Sequence, residues 1–226
     1  MQKEIYILRG ILGESYNDFK NRMFGLVDSI INAADPATLK VTLTTKKRPA
    51  ISIIPFKKQK VAVFSVSTTS PGLRDHLSKI AGFAGGYSVE EVVPVVYEKT
   101  WSDMTPTPGV CLLTLFHSKP SLDHETFLDR WFNGHTPLSL KLHPLWNYNR
   151  NEVKNTLTEN SEPFDGIVEE QFRSTSDLLN PFIFFGPPLK VLIHMWQVLT
   201  DTRSFIDMKR IETYFAEEIV VKSKGG

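Results

Sequence analysis

Two apolar, strand-like segments occupy corresponding places in the two halves of this chain. Residues 3–11 and 110–117 each precede a polar turn and a segment with helical spacing. Within those helical segments, Phe19 of the first half corresponds to Phe127 of the second. Both halves also close alike, with Tyr-Ser-Val-Glu-Glu-Val in one and Tyr-Phe-Ala-Glu-Glu-Ile in the other. Matches in the same order at both ends predict two copies of one folding unit.

Each copy shows the order strand, helix, strands, helix, strand. The segments predicted for the first copy are 4–11, 16–32, 39–45 with 50–56, 61–67, 73–81 and 89–99. Those predicted for the second copy are 110–117, 124–143, 146–156, 167–172, 189–209 and 211–222. This βαββαβ order is typical of the ferredoxin-like unit, an antiparallel four-stranded sheet with helices on one face. Since each unit leaves its other sheet face bare, we expect an α+β fold in which the two sheets pack as an intrachain α/β barrel.

A proline-rich stretch, Thr-Pro-Thr-Pro-Gly, separates the two copies and has the composition of a linker. We therefore predict an N-terminal repeat over residues 1–104 and a C-terminal repeat over 109–226.

The segment with the clearest chemical potential is the helix predicted over 124–143. Phe127, Trp131 and His135 are spaced i, i+4, i+8 and so share one helix face. Pro137 has no N–H, so we expect the helix to kink and to free backbone carbonyls beside His135. An imidazole held there, backed by aromatic rings, suits a general acid or base. A structural histidine that caps the freed carbonyls is an equally good interpretation.

A family resemblance is carried by the same helix. Its Trp-x-x-x-His-x-Pro-Leu motif, beginning at Trp131 and leading into a strand with Tyr148, resembles the EthD-like family of the dimeric α/β-barrel superfamily. The resemblance is good over 109–157 and only topological over 1–104, where the histidine and proline are missing. It implies that one half keeps the site while the other mainly completes the barrel. Superfamily members include polyketide cyclases and dehydratases, lactone isomerases, small monooxygenases and haem-handling proteins, so the fold alone does not select an activity.

Further candidate groups follow the helix. His143 is either a helix-terminal histidine that interacts with the helix dipole or a second proton-transfer group. Tyr148 and Arg150 share a strand face and could polarise a carbonyl or hold an enolate, although an Arg150–Glu152 surface pair explains the pattern as well. The predicted catalytic residues are His135, Tyr148 and His143. The predicted substrate contacts are Trp131, Arg150, Trp146 and His117.

Neither a metal nor a cofactor is expected. The six histidines do not fall at metal-ligand spacing, and no phosphate-binding or nucleophile-elbow motif is present. His194 lies in an apolar segment and could ligate haem, but without a second ligand motif a core histidine is the better interpretation. The single cysteine, Cys111, excludes an internal disulfide and favours a reducing, cytoplasmic compartment.

The net charge of the chain is +1, so its overall charge does not indicate nucleic acid or a membrane as a partner. The apolar region 181–199 is interrupted by Gly-Pro-Pro, so a buried element explains it better than a membrane span. One segment, 36–74, contains basic residues and no acid. Recognition of an anionic carrier, substrate or RNA is one interpretation, and solubilising turns and edges are the favoured one. Its basic residues are Lys40, Lys46, Lys47, Arg48, Lys57, Lys58, Lys60 and Arg74.

Two functions remain open from the sequence. The first is a cofactor-free enzyme that cyclises, dehydrates or isomerises an apolar or aromatic carbonyl compound, with His135 as the base. The second is a non-catalytic protein that binds a small hydrophobic or aromatic molecule; haem handling is a third, weaker alternative. An enzyme needs polar groups that converge beside His135 in a cavity open to solvent. We expect that imidazole to reach the interior enclosed by the two sheets, and a homodimer of such barrels is a further alternative.

Overall fold

The computed structural model describes residues 3–45, 48–67 and 71–224, and its eight strands close into an antiparallel barrel. The strands are β1 (Lys3–Arg9), β2 (Thr38–Thr44), β3 (Val61–Ser67), β4 (Phe83–Val95), β5 (Val110–Phe116), β6 (Asn147–Thr156), β7 (Gly166–Phe172) and β8 (Glu212–Lys222). The helices are α1 (Tyr16–Ala34), α2 (Pro71–Leu77), α3 (His124–Asp129), a π-helical turn (Arg130–His135), α4 (Thr136–Leu142), α5 (Thr175–Leu179), α6 (Pro181–Phe184) and α7 (Val191–Phe205).

The barrel consists of two four-stranded sheets joined along two seams. Going round it, the strand order is β1-β3-β2-β8-β5-β7-β6-β4. The strands of the first half therefore lie in the order β4-β1-β3-β2 and those of the second half in the order β8-β5-β7-β6. Because these two orders correspond strand for strand, the tandem ferredoxin-like prediction is confirmed. The seams are the antiparallel pairs β2 with β8 and β4 with β6, and Val41 lies opposite Ile219 in the first of them. Closure leaves neither sheet with a free edge.

Alternation along the strands divides the apolar side chains between the barrel interior and the helix-covered outer faces. The interior core draws Ile5 and Val63 from the first half and Leu113 and Ile167 from the second, so each half covers the bare face of the other. On the outer face of the first sheet, the buried stripe of α1, which includes Met23, packs against residues such as Phe64. Each fully buried side chain of this kind contributes about 1.5–3 kcal/mol of transfer free energy.

The strand predicted over 50–56 is wrong. These residues form no strand, since Pro49 and Pro55 have no N–H to donate to a ladder. They form a loop that crosses to the second half, where the Lys57 N–H donates to the Thr213 carbonyl over 2.8 Å. The Thr213 hydroxyl donates in turn to the Pro55 carbonyl over 3.0 Å.

The helix predicted over 124–143 is divided by the π-helical turn rather than broken. The backbone keeps helical torsion angles at His135 and Thr136. The Thr136 N–H donates to the carbonyl of Trp131, five residues back, and the Thr136 hydroxyl donates to the same carbonyl over 3.0 Å. The wider turn accommodates Pro137, whose ring would crowd an ordinary α-turn. His135 is the last residue of this turn.

Among the described residues, no helix has both the length and the apolar character that crossing a bilayer requires. The apolar region 181–199, for which a buried element is expected, instead contains the short helix α6, a Gly-Pro-Pro turn and the start of α7, and side chains such as Leu192 and Trp196 are exposed.

Candidate functional site

A cavity of about 510 Å³ lies between the outer face of the C-terminal sheet and the helices that cover it. Leu112 lines this cavity, whereas its chain neighbours Cys111 and Leu113 belong to the barrel interior. His135 lies in the helical layer on the opposite wall. The expectation that His135 reaches the barrel interior is therefore wrong, because the sheet separates the imidazole from that interior.

The first half of the chain contributes one wall of the cavity. Ile53, Ile54 and Pro55, from the loop that crosses to the second half, lie in the lining. Phe56 anchors this loop by packing edge-on against Phe215, with ring centroids 5.6 Å apart. The first half therefore helps to build the site as well as closing the barrel.

The cavity is open at its outer rim. Leu192 and Trp196 line it and are nevertheless 75% and 67% exposed. Its deeper walls are aromatic and aliphatic, with Trp131 and Phe205 fully buried. A cavity of this size and composition is typical of sites for small apolar ligands.

His135 is held by two side chains. Its Nδ1 lies 2.6 Å from Oδ2 of Asp201 on α7, and its Nε2 lies 3.2 Å from Oγ of Ser139 on α4. A carboxylate only accepts hydrogen bonds, so the Nδ1 proton points to Asp201. The ring also packs on Phe205 with centroids 5.1 Å apart. These contacts are with side chains and not with freed carbonyls, so the capping interpretation is wrong.

Glu170 brings a carboxyl group into the apolar cavity. It lies in the middle of β7, opposite Tyr148 on β6 and Leu112 on β5. Burial raises the pKa of Glu170 to about 7, and the nearby His135 opposes this rise. No hydrogen bond from a described residue to this carboxylate contributes to its pKa. A desolvated carboxyl that titrates near neutrality is typical of a catalytic acid or base.

His143 also lines the cavity and is neutral at physiological pH. Burial lowers its pKa to about 4. Its Nδ1–H donates to the Phe184 carbonyl over 3.0 Å, and its ring stacks on the Phe184 ring with centroids 4.0 Å apart. Nε2 is then an acceptor. His143 therefore suits acceptance of a hydrogen bond rather than donation to an oxyanion.

Tyr148 and Arg150 share a strand face, as expected, but only Tyr148 reaches the cavity. Burial raises the pKa of Tyr148, so its phenol stays protonated and can donate. The Arg150 guanidinium lies over the Phe132 ring at 3.7 Å from its centroid and donates to the Thr136 hydroxyl over 2.7 Å. Arg150 thus supports the π-helical turn from outside the cavity.

Two other predicted substrate contacts also lie outside the cavity. Trp146 packs among the rings of Tyr97 and Trp101, with centroid distances of 5.3 and 5.6 Å. His117 lies 3.0 Å from the Pro163 carbonyl through Nδ1 and 3.0 Å from Glu162 through Nε2. Of the predicted site residues, the structure brings together four at the cavity: Trp131, His135, His143 and Tyr148.

Sequence reasoning missed Glu170, Asp201 and Ser139. A signal for Glu170 exists, because two adjacent acids interrupt the apolar run of β7 and adjacent strand residues point to opposite faces. One of the two must therefore be buried under the helices. Asp201 carries no comparable signal, since 66 positions separate it from His135.

Among the described residues, no group of three or more histidine, cysteine or acidic side chains could hold a metal ion.

Residues 119–182 match the EthD domain. This part of the C-terminal half is therefore similar to that family. The matched stretch contains His135, His143, Tyr148 and Glu170, but not Asp201. No curated protein sequence matches the chain.

Two solved structures share the dimeric α/β-barrel fold over almost the whole chain. An anthrone oxidase-like protein is 8% identical, with 99% of this chain and 94% of that one covered and a TM-score of 0.63. A presumed monooxygenase from Fusobacterium nucleatum subsp. nucleatum is 10% identical, with 100% of this chain and 94% of that one covered and a TM-score of 0.52. At these identities the likeness shows the fold alone.

Proposed function

We propose that the cavity binds a small apolar or aromatic carbonyl compound and that Glu170 removes a proton from a carbon activated by the carbonyl. The observation that carries this proposal is the unpaired Glu170 carboxyl, buried in an apolar cavity beside His135. His135 was the base expected from the sequence. Glu170 takes that role here, because its pKa of about 7 suits proton abstraction at neutral pH.

The remaining polar groups can stabilise the charge that forms. When the C–H bond breaks, its proton goes to Glu170 and its electron pair moves through the carbonyl group onto oxygen. Tyr148 supplies a hydroxyl donor, and His135, whose Nδ1 is held by Asp201, lies in the same lining and can take part in returning the proton. Return of the proton to another carbon gives isomerisation, and loss of a leaving group gives dehydration. The expected cyclase, dehydratase and isomerase reactions thus share this first step.

Anthrone is a suitable probe for the first step. The likeness to an anthrone oxidase-like protein suggests it, and anthrone is a flat, apolar aromatic ketone with an acidic methylene group. Deuterium incorporation into that methylene group in D₂O, under argon, measures proton removal without any oxidation. We expect the protein to accelerate exchange, with a rate that rises with pH to a plateau above about pH 7.

The decisive variant is Glu170→Gln, which keeps the shape of the side chain and removes the base. We expect it to lose roughly 10²–10⁴-fold of the catalysed rate while still binding anthrone. Glu217→Gln is the matched control and should catalyse exchange at the wild-type rate. Glu217 lies on β8 at its seam with β2 and pairs with Lys20.

The main alternative is a non-catalytic hydrophobic-ligand-binding protein, which the apolar lining and exposed rim favour. Saturable binding of anthrone with no acceleration of exchange would establish that alternative. Equal acceleration by wild type and Glu170→Gln would remove Glu170 from the mechanism.

A further inference from the structure

Several exposed apolar side chains line the outer part of the cavity or lie within three residues of its lining in the chain. Leu189 is 94% exposed, Leu192 75%, Trp196 67% and Ile51 90%. Together with Ile53, these residues form what we call the rim patch. They come from the amino-terminal part of α7, the turn before it and the crossing loop of the first half. Contiguous exposed apolar surface of this kind marks an interaction site.

The two segments that form the rim patch contain no acidic residue. Residues 36–74 and 178–200 have neither aspartate nor glutamate. Exposed basic side chains flank the patch along the chain, and they are Arg48, Lys57, Lys58 and Lys190. Although the overall net charge is +1, the chain segments that carry the rim patch therefore contain basic side chains and no acid.

Contacts between the two segments show that they form one surface. Ile53 and Leu192 line the same cavity. Beneath them, Phe56 belongs to one buried cluster with Phe185 and Val191. The apolar rim and the basic residues of the crossing loop are thus held together by a packed core.

We propose that the rim patch docks on the surface of an anionic phospholipid membrane. An apolar patch with a tryptophan, flanked by basic side chains, can bury its apolar side chains among acyl chains while the basic groups meet lipid phosphates. A second copy of the chain fits this surface less well, because two basic rims would repel each other. Docking in this way places the cavity mouth against the bilayer, so that an apolar ligand can enter from the lipid. This entry of ligand rests on the proposed function, whereas the docking itself does not.

Vesicle sedimentation tests the docking without any turnover. We expect the protein to sediment with vesicles of phosphatidylcholine mixed with phosphatidylglycerol, more weakly with phosphatidylcholine alone, and less at high salt. Leu192→Ser combined with Trp196→Ser should lower the partition coefficient roughly tenfold or more. Lys57→Glu combined with Lys58→Glu should remove the preference for phosphatidylglycerol.

Val96→Ser is the matched control. Val96 is exposed and, with Val220, lines a separate cavity of about 280 Å³ at the far end of β8 from Thr213. Circular dichroism and thermal unfolding of every variant distinguish lost docking from lost folding. Absent binding to phosphatidylglycerol vesicles, or equal binding by wild type and the Leu192/Trp196 double variant, would overturn the proposal. A third result would also overturn it: light scattering shows a wild-type dimer, the Leu192/Trp196 double variant is monomeric, and neither protein binds vesicles. The rim patch would then join two copies of the chain.

Discussion

Asp201 accepts a hydrogen bond from Nδ1 of His135 over 2.6 Å, and this bond joins α7 to the π-helical turn. The two residues come from separate helices that cover the same sheet. With Nδ1 committed to Asp201, Nε2 is the nitrogen left for chemistry, and it lies beside the Ser139 hydroxyl. The orientation and the tautomer of His135 therefore depend on Asp201.

Asp201→Asn should slow anthrone proton exchange by at least about tenfold while leaving the fold intact. An asparagine can still bond Nδ1 but cannot balance a positive charge on the ring, and its amide can impose the other tautomer. Exchange kinetics measure the loss, and ¹⁵N chemical shifts of the His135 ring report the tautomer. Asp207→Asn, in the turn after α7, is the control and should change neither. An unchanged rate together with a changed tautomer would show that His135 takes no part in proton transfer.

Glu170→Gln should raise stability at alkaline pH. The folded-state pKa of about 7 exceeds the ordinary value of 4.5, so between these pH values the folded protein binds more protons than the unfolded chain. The contribution of Glu170 to wild-type stability is therefore greatest below about pH 4.5 and falls by about 3 kcal/mol as pH rises from there through 7. Glutamine has no such penalty. Urea unfolding at pH 5 and pH 8 should show a gap between the proteins that widens at the higher pH, whereas a constant gap would place Glu170 in contact with water.

His143→Asn should reduce the loss of stability in acid. The pKa of His143 falls from its ordinary 6.5 to about 4 in the folded state, so the unfolded chain binds the extra proton first. The contribution of His143 to wild-type stability should thus fall by about 3 kcal/mol as pH drops from 6.5 through 4. Asparagine can still donate to the Phe184 carbonyl but cannot titrate, although it loses the ring stack. In urea unfolding, the variant should be less stable than the wild type at pH 7, and this difference should shrink as pH falls toward 4. A parallel profile would contradict the assignment.

The barrel was predictable because period-two and helical patterns recur in the same order in both halves. The side of the sheet that holds the cavity was not, since both faces of β5 are apolar and mostly buried. Leu112 and Leu113 are alike in sequence, yet one lines the cavity and the other the barrel interior. Only the tertiary packing of the helices separates them.

The histidine of the site was predictable from its helix, but its partners were not. His135 stands out through the aromatic spacing and Pro137 of its own segment. Asp201 meets it through the packing of α7, and Ile53 reaches the cavity only because two prolines turn a strand-like segment into a loop. Local sequence patterns identify a residue such as His135, but they do not show which distant residues pack against it.

A buried ion cluster at the β2–β8 seam offers a test of barrel closure. Lys40 of β2 lies 2.8 Å from Glu169 of β7 and 3.1 Å from Glu218 of β8, all inside the barrel. Burial alone would lower the pKa of Lys40, but the two carboxylates more than offset this, and its pKa is raised. Lys40 in turn helps to lower the pKa of Glu169 against the effect of burial.

Lys40→Met should destabilise the protein by roughly 3–5 kcal/mol, because it leaves two buried carboxylates without their cation. The loss should shrink as pH falls, since the carboxyls can then take up protons. Adding Glu169→Gln and Glu218→Gln to Lys40→Met should recover most of the stability, because no buried charge then remains unpaired. Urea unfolding of the single and triple variants at pH 7 and pH 5 measures both effects. A triple variant no more stable than Lys40→Met would mean that the seam depends on the hydrogen bonds of this cluster and not on charge balance.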